Sequence, residues 1–215
     1  NVGKSTLLNS ILGEKIAITT DKPQTTRNVI RGIYTRLEET DDGREDGVQM
    51  VFIDTPGIHK PHSKLGSFMT DSAINTFKEV EVILFLVDSD ISKGPGDRYI
   101  LEMLKDIPTP KILVINKIDT MEPEYFRRIY EEYSNMGIFD DVFGTSALEG
   151  QNVDKLLGRI EDFLEDGPMF FPEDMVTDHP ERFIVSEIIR EKLLLYLEDE
   201  VPHGVAVEIE SYSEE

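Results

Sequence analysis

Apolar residues recur along this chain at two spacings, and the alternation between them sets out its elements. After NVGKST, Leu7, Leu8, Ile11 and Leu12 fall three and four apart, the spacing of one helix face, and Gly13 supplies a C-cap. ITTDKPQTTRN is polar, holds Pro23 and has no period, so it reads as a loop. NVIRGIYTR alternates as a strand and VQMVFID follows as a second, apolar one, with LEETDDGREDG between them as a solvated hairpin turn. EVILFLVDS and KILVIN are nearly unbroken apolar runs, as strands covered on both faces require. GPGDRYILEMLKDI, EPEYFRRIYEEYSNM with Pro123 near its start, and NVDKLLGRIEDFLED with Asn152 as cap carry helical spacing, and IFDDVFGTSA is strand-like. Strands alternating with helices predict an α/β domain over 1–165, its sheet mostly parallel with one antiparallel hairpin.

GPMFFPEDM interrupts this pattern with two prolines and a glycine, so 166–180 reads as a linker. Beyond it, Phe183, Ile184, Ile188, Ile189, Leu193 and Leu197 keep near-helical spacing up to Pro202, and GVAVEIE alternates like a half-buried strand. One helix and one strand cannot bury a core alone, so 181–215 is expected to be the beginning of a second, α+β domain. No internal repeat is visible.

Composition narrows the classes. Hydrophobic residues make up 39% of 215, enough for a core and too many for wholesale disorder. No apolar stretch has the length of a membrane span, and the absence of cysteine fits a reducing compartment. The net charge is −21, and from Gly167 onward thirteen acidic residues face three basic ones. A surface of that sign repels phosphodiester, so nucleic-acid binding would need a local basic patch or residues outside this sequence.

Five polar segments interrupt the apolar pattern in a fixed order. Asn1, Val2, Gly3, Lys4, Ser5 and Thr6 match the second half of G-x-x-x-x-G-K-[ST], which leads us to expect that the chain begins inside a phosphate-binding loop and lacks the strand before it. There, backbone N–H groups at a helix N-terminus hold phosphate, Lys4 reaches the β- and γ-phosphates, and the Ser5 hydroxyl ligates Mg²⁺. PQTTR offers a threonine to close over the metal, Thr26 with Thr25 in reserve. DTPG, Asp54 to Gly57 with Thr55 and Pro56 between, ends an apolar strand; Asp54 can hold Mg²⁺ through water and the Gly57 N–H can meet the γ-phosphate.

NKID follows the strand KILVI. Asn116 can brace the loop, Lys117 can lie along a purine, and Asp119 can accept from guanine N1–H and the exocyclic amine. Adenine offers no N1–H, and a site left with an unpaired carboxylate can reject it by roughly 10⁴. TSA, Thr145 with Ser146 and Ala147, closes the next strand, where a backbone N–H can meet guanine O6. Each segment alone is ordinary turn or cap chemistry. Their order predicts a P-loop NTPase with a Ras-like, GTP-binding domain, in which Lys4, Thr26, Asp54 and Gly57 are catalytic and Ser5, Thr26 and Asp54 hold the metal. Ile58 stands where Ras-like enzymes place a water-orienting glutamine, and His59 reads as a solvent-exposed loop residue, so intrinsic hydrolysis is expected to be slow. The Asn1 oxygen can either hold K⁺ against the phosphates or only shape the loop.

N-x-G-K-S, TTR and DTPG followed by an apolar residue, together with FPEDMVTDHPERFIVSEIIREKLLLYLEDEVPHGVAVEIE over 171–210, resemble the Era family of bacterial GTPases. SEIIREKL is the most specific stretch. The resemblance implies a G domain followed by a KH-type RNA-binding domain, slow GTP hydrolysis to GDP, and a role in small ribosomal subunit assembly through 16S rRNA. It further implies a cytoplasmic monomer with peripheral inner-membrane association. The G-x-x-G loop of a KH domain is not in this sequence, and the acidic hairpin at 38–47 is longer than the resemblance leads one to expect. Two alternatives stay open: a related GTPase of RNA modification or signalling, against which SEIIREKL argues, and a fragment that binds no nucleotide for want of its first strand.

Overall fold

The helical spacing after NVGKST becomes α1 (Lys4–Leu12), which buries Leu7, Leu8 and Ile11 on one face. Gly13 ends it at φ 67°, a left-handed conformation that glycine adopts without strain. The structure, a computed structural model, describes residues 2–20, 28–39, 45–55, 77, 79–89, 95–197 and 205–211. Contacts divide the chain into two units, one of Gly3–Thr55 with Pro168–Glu215, the other of Pro56–Gly167 with Val2.

In the first unit β1 (Ile30–Glu39) pairs antiparallel with β2 (Glu45–Asp54), in register from Ile30↔Asp54 to Glu39↔Glu45. This is the expected hairpin; its turn, 40–44, lies outside the described residues. Ile30, Ile33, Val48 and Met50 are its buried hydrophobic residues among those described. Gly32 lets α1 approach, since a Cβ there would lie 2.6 Å from Leu8 Cδ1 and 2.7 Å from Leu12 Cδ1. Leu8, Ile16, Ala17 and Ile30 form a small core that Phe52, Val176 and Ile184 extend.

The stretch 168–180 runs along this hairpin through specific bonds. The Gln49 side chain donates to the Phe171 carbonyl (3.0 Å) and accepts from the Phe170 and Phe171 amides (2.9 Å each). The Ile33 N–H donates to Val176 O (2.8 Å), the Thr177 hydroxyl to Arg31 O (2.7 Å), and Arg31 pairs with Asp178 (2.5 Å). The His179 ring lies 3.1 Å from Val29 O.

A helix then forms over Glu181–Tyr196, named α5 by its place last among the helices. Its buried residues are Glu187, Arg190, Glu191 and Leu194, whereas Ile189 is 42% and Leu193 37% exposed. The apolar face read from spacing is therefore only partly covered: Ile184 packs on the small core, while Ile189 and Leu193 stay exposed. Charge pairing explains the difference: Arg190 clamps Glu187 through two bonds (2.9 and 2.5 Å), and Glu191 accepts from Lys15 Nζ (2.6 Å) and the Thr19 N–H (3.1 Å). Polar groups paired in this way can be buried at an acceptable cost. The expected strand GVAVEIE is absent from 205–211, because an extended segment becomes a strand only with a ladder partner, and no ladder among the described residues includes it.

The second unit is a parallel sheet in the order β3 (Ile83–Val87), β4 (Lys111–Ile115), β5 (Asp141–Gly144). Its helices among the described residues are α2 (Pro95–Lys105), α3 (Pro123–Ser134), which starts on Pro123 as expected, and α4 (Val153–Glu161). Central β4 is dry: Ile112, Leu113, Val114 and Ile115 are fully buried. Val87, Leu101, Leu113, Ile115, Ile129 and Tyr133 make one core cluster, and Ile83, Ile100 and Leu104 another. Asn152 stands before α4, but not as a side-chain cap. Its backbone is left-handed (φ 60°) and its amide donates to Gly144 O (2.9 Å), tying the helix start to β5. Among the described residues no helix is long and apolar enough to cross a membrane.

Candidate functional site

The phosphate-directed residues of the first unit gather where β2 ends and α1 begins. Gly3 precedes the helix at φ 93° and offers no side-chain cap, so the first-turn amides are supplied for an outside acceptor. Their dipole favours an anion there. The Ser5 hydroxyl donates to Asp54 Oδ2 at 2.7 Å, bringing together the two residues expected to share a metal. Asp54 is buried, and its Oδ1 has no hydrogen-bond partner among the described residues. Burial pushes its carboxyl above the usual range, a shift that the Lys4 charge and the Ser5 bond partly offset. A dry carboxylate oxygen without a donor, beside a serine hydroxyl, is the hard-oxygen donor set that Mg²⁺ takes. The residues fit the metal.

The base-directed residues belong to the second unit and follow the ends of β4 and β5. Asn116 is 2% exposed and fully engaged. Its Oδ1 accepts from the Ala147 N–H (2.9 Å) and the Thr145 hydroxyl (3.3 Å), and its Nδ2 donates to Val2 O (2.9 Å). The Ile118 N–H donates to Thr145 O (3.2 Å), and Ser146 pairs with Gln151 through both backbone groups. The 116–119 and 145–147 turns are thus laced together before any ligand arrives. The Ala147 N–H already serves that lacing. Lys117 has a left-handed backbone (φ 64°), and its ammonium meets Asp88 at 2.9 Å. Asp119 sits exposed on the 3₁₀ turn Ile118–Thr120, open to a ligand edge.

Gly3, Lys4, Ser5, Thr6, Asp54 and Thr55 therefore lie in the first unit, and Val2, Asn116, Lys117, Asp119, Ser146 and Ala147 in the second. Asn1, Thr25, Thr26, Pro56, Gly57, Ile58 and His59 lie outside the described residues. Asp88 and Glu191 were not singled out from the sequence. A signal for Asp88 existed: it is the first polar residue after ILFLV, as Asp54 follows VFI and Asn116 follows KILVI. Glu191 left none, because an acid at a helix position looks like solvated surface.

Comparison with known proteins bears on the family of the chain. The model of the 50S ribosome-binding GTPase family matches residues 1–117. GTPase Era of Alkaliphilus metalliredigens is 54% identical over 208 residues, 97% of this chain and 68% of that protein. Among solved structures, Era in complex with MgGDPNP and nucleotides 1506–1542 of 16S ribosomal RNA aligns with TM-score 0.81 at 38% identity, over 95% of this chain and 67% of that one. A single-residue variant of Aquifex aeolicus Era bound to GDP·AlF₄⁻ aligns with the same score and identity, over 94% and 66%.

Proposed function

Because the chain belongs to the Era family of GTPases, we propose that it works as a GTP-driven switch in small ribosomal subunit assembly, acting through 16S rRNA. The observation that carries the nucleotide reading is the Ser5–Asp54 pair with its unpartnered carboxylate oxygen. Those two residues, with Thr26, would hold Mg²⁺, which supplies charge to the β- and γ-phosphates. Lys4 and the first-turn amides add fixed positive charge on the same phosphates. Thr6, Thr55, Pro56 and Gly57 line that end, with the Gly57 N–H on the γ-phosphate. At the other end Asn116 holds the turn, Lys117 flanks the base and Asp119 accepts from guanine, with Ser146 and Ala147 beside it, their amides held by Gln151 O and Asn116 Oδ1.

The proposal divides the chain into a G domain over 1–165, a linker over 166–180 and the start of a KH-type domain over 181–215. The relative solved with 16S nucleotides 1506–1542 supports the RNA partner. Its ligand is also the probe. A labelled RNA of that segment should bind this protein with GTP present, and absence of binding at micromolar concentrations overturns the ribosomal half of the proposal. For the catalytic half, phosphate release should require Mg²⁺ and fall by about 10² or more in Lys4→Ala. Unchanged turnover would remove Lys4 from its role. Potassium at Asn1 is the finer cofactor reading, and equal rates in matched K⁺ and Na⁺ buffers would eliminate it. A cytoplasmic monomer with peripheral inner-membrane association completes the proposal; sedimentation and vesicle flotation check the two parts.

A further inference from the structure

We infer that Asp88 is a positioning residue for guanine-nucleotide recognition, acting through Lys117. The inference rests on reading 116–119 as the base site and names a residue that no motif there includes. Strand register brings the two together. β3 and β4 run parallel with Val87 opposite Ile115, and the Asn116 N–H donates to Val87 O at 2.8 Å. The next residue on each chain path, Asp88 on one side and Lys117 on the other, leaves the sheet at the same edge. Their charges meet at 2.9 Å.

An ion pair at a surface ordinarily contributes little. Three observations set this one apart. First, the Asp88 side chain is only 18% exposed, so the pair is partly shielded from water on the carboxylate side. Second, Lys117 holds φ 64° and ψ 35°, a conformation that a residue with a side chain keeps only when its surroundings impose it. Such backbone is imposed here by bonds to the peptide that follows Lys117: its carbonyl accepts from the Thr120 amide (3.1 Å) and hydroxyl (3.0 Å), and its N–H, that of Ile118, donates to Thr145 O (3.2 Å). Third, the residue after Asp88 is itself anchored, with the Tyr125 hydroxyl donating to Ser89 O at 2.5 Å. The acid is thus a fixed post rather than a mobile surface charge.

The consequence is preorganisation. A lysine side chain has many rotamers, and immobilising it when a base arrives opposes binding. With its ammonium already tethered to Asp88, the methylene stem of Lys117 is laid out before the base arrives. Asp88 touches no nucleotide in this scheme; it sets the side chain that does.

The test is a double-mutant cycle on the nucleotide-binding protein. Fluorescent N-methylanthraniloyl-GDP is titrated into wild type, Asp88→Asn, Asp88→Ala, Lys117→Ala and the Asp88→Ala/Lys117→Ala double variant. Melting of each ligand-free protein is recorded alongside. Asp88→Asn should weaken binding about tenfold, the loss of one charge-assisted bond, with little change in melting. In the Lys117→Ala background, Asp88→Ala should cost nothing further. Asp88→Glu should recover part of the affinity. Wild-type affinity in Asp88→Asn, additive losses in the double variant, or losses that track a lowered melting temperature would each overturn the inference. Lys117→Ala binding like wild type would instead sink the base-site reading beneath it.

Discussion

Asn116 and Asp54 are both buried at strand ends, 2% and 7% exposed, and the proposed function assigns both to nucleotide binding. They are prepared for it differently. Asn116 has partners for its oxygen and its nitrogen within its own unit. Asp54 has one oxygen bonded to Ser5 and the other without a partner. An amide is neutral, so backbone groups satisfy it completely and the base-reading turns stand formed in advance. A carboxylate in a dry setting keeps a debt of solvation that hydroxyl bonds do not cancel. In the proposed function the base side is then a template, and the phosphate side is one that a cation would complete.

The sharpest way to break that contrast is at the template's exposed edge. Asp119→Asn should reverse the choice between GTP and xanthosine triphosphate, shifting their affinity ratio by about 10³–10⁴, measured by competition against a labelled nucleotide. A ratio left where it was would mean the turn is a template for something else. Next in size is Glu191→Ala, which strips the Lys15 ammonium and the Thr19 N–H of a buried acceptor and should destabilise the protein by about 2–3 kcal/mol in denaturant unfolding.

Asn116→Ala should cost about 2 kcal/mol even without nucleotide, since the Ala147 N–H and Val2 O lose their partner. If that melting curve moves only in the presence of ligand, the turns are not formed beforehand. Asp54→Asn should act in the opposite direction. Its carboxyl is raised above the ordinary 3.8, so the stability tied to its proton is present below that value and lost as pH climbs through the raised one. At neutral pH the ionised side chain is a cost. Ligand-free Asp54→Asn should therefore melt a few degrees higher than wild type, on the order of 1 kcal/mol, and lose the stabilisation that Mg²⁺ gives. A lower melting temperature would show that the carboxylate is already neutralised. Smallest of all, Glu102→Gln on α2 removes an exposed pair with Lys105 and should change stability by less than about 0.5 kcal/mol.

Most of the sheet and its helices were legible because apolar period and burial coincide there. All five residues of KILVI are buried; four are apolar, and the Lys111 ammonium donates to Ile107 O and Thr109 O. Glycine-lysine-serine, the strand-end aspartate and the two later turns were legible for a different reason: phosphate, metal and guanine demand particular donors at strand ends, in a set order. What escaped reading shares one property, namely that polar groups do the packing. On α5 a pattern that counts only apolar residues pointed to Ile189 and Leu193, while Glu187, Arg190 and Glu191 went inside on the strength of their bonds. Asn152 looked like a helix cap and became a brace to Gly144. Asp88 gains its meaning from the neighbouring strand, which linear order places 29 residues away.

The bonds from 176–179 to Val29, Arg31 and Ile33, and from Glu191 to Lys15 and Thr19, tie residues on either side of Thr25 and Thr26 to a part of the chain some 150 positions later. Motif boundaries and folding boundaries therefore part company. A shortened protein ending at residue 165 would retain every guanine and phosphate signature yet surrender the tethers of its threonine loop at both shores. Anyone wishing to isolate the G domain for binding work should carry the cut past Glu191.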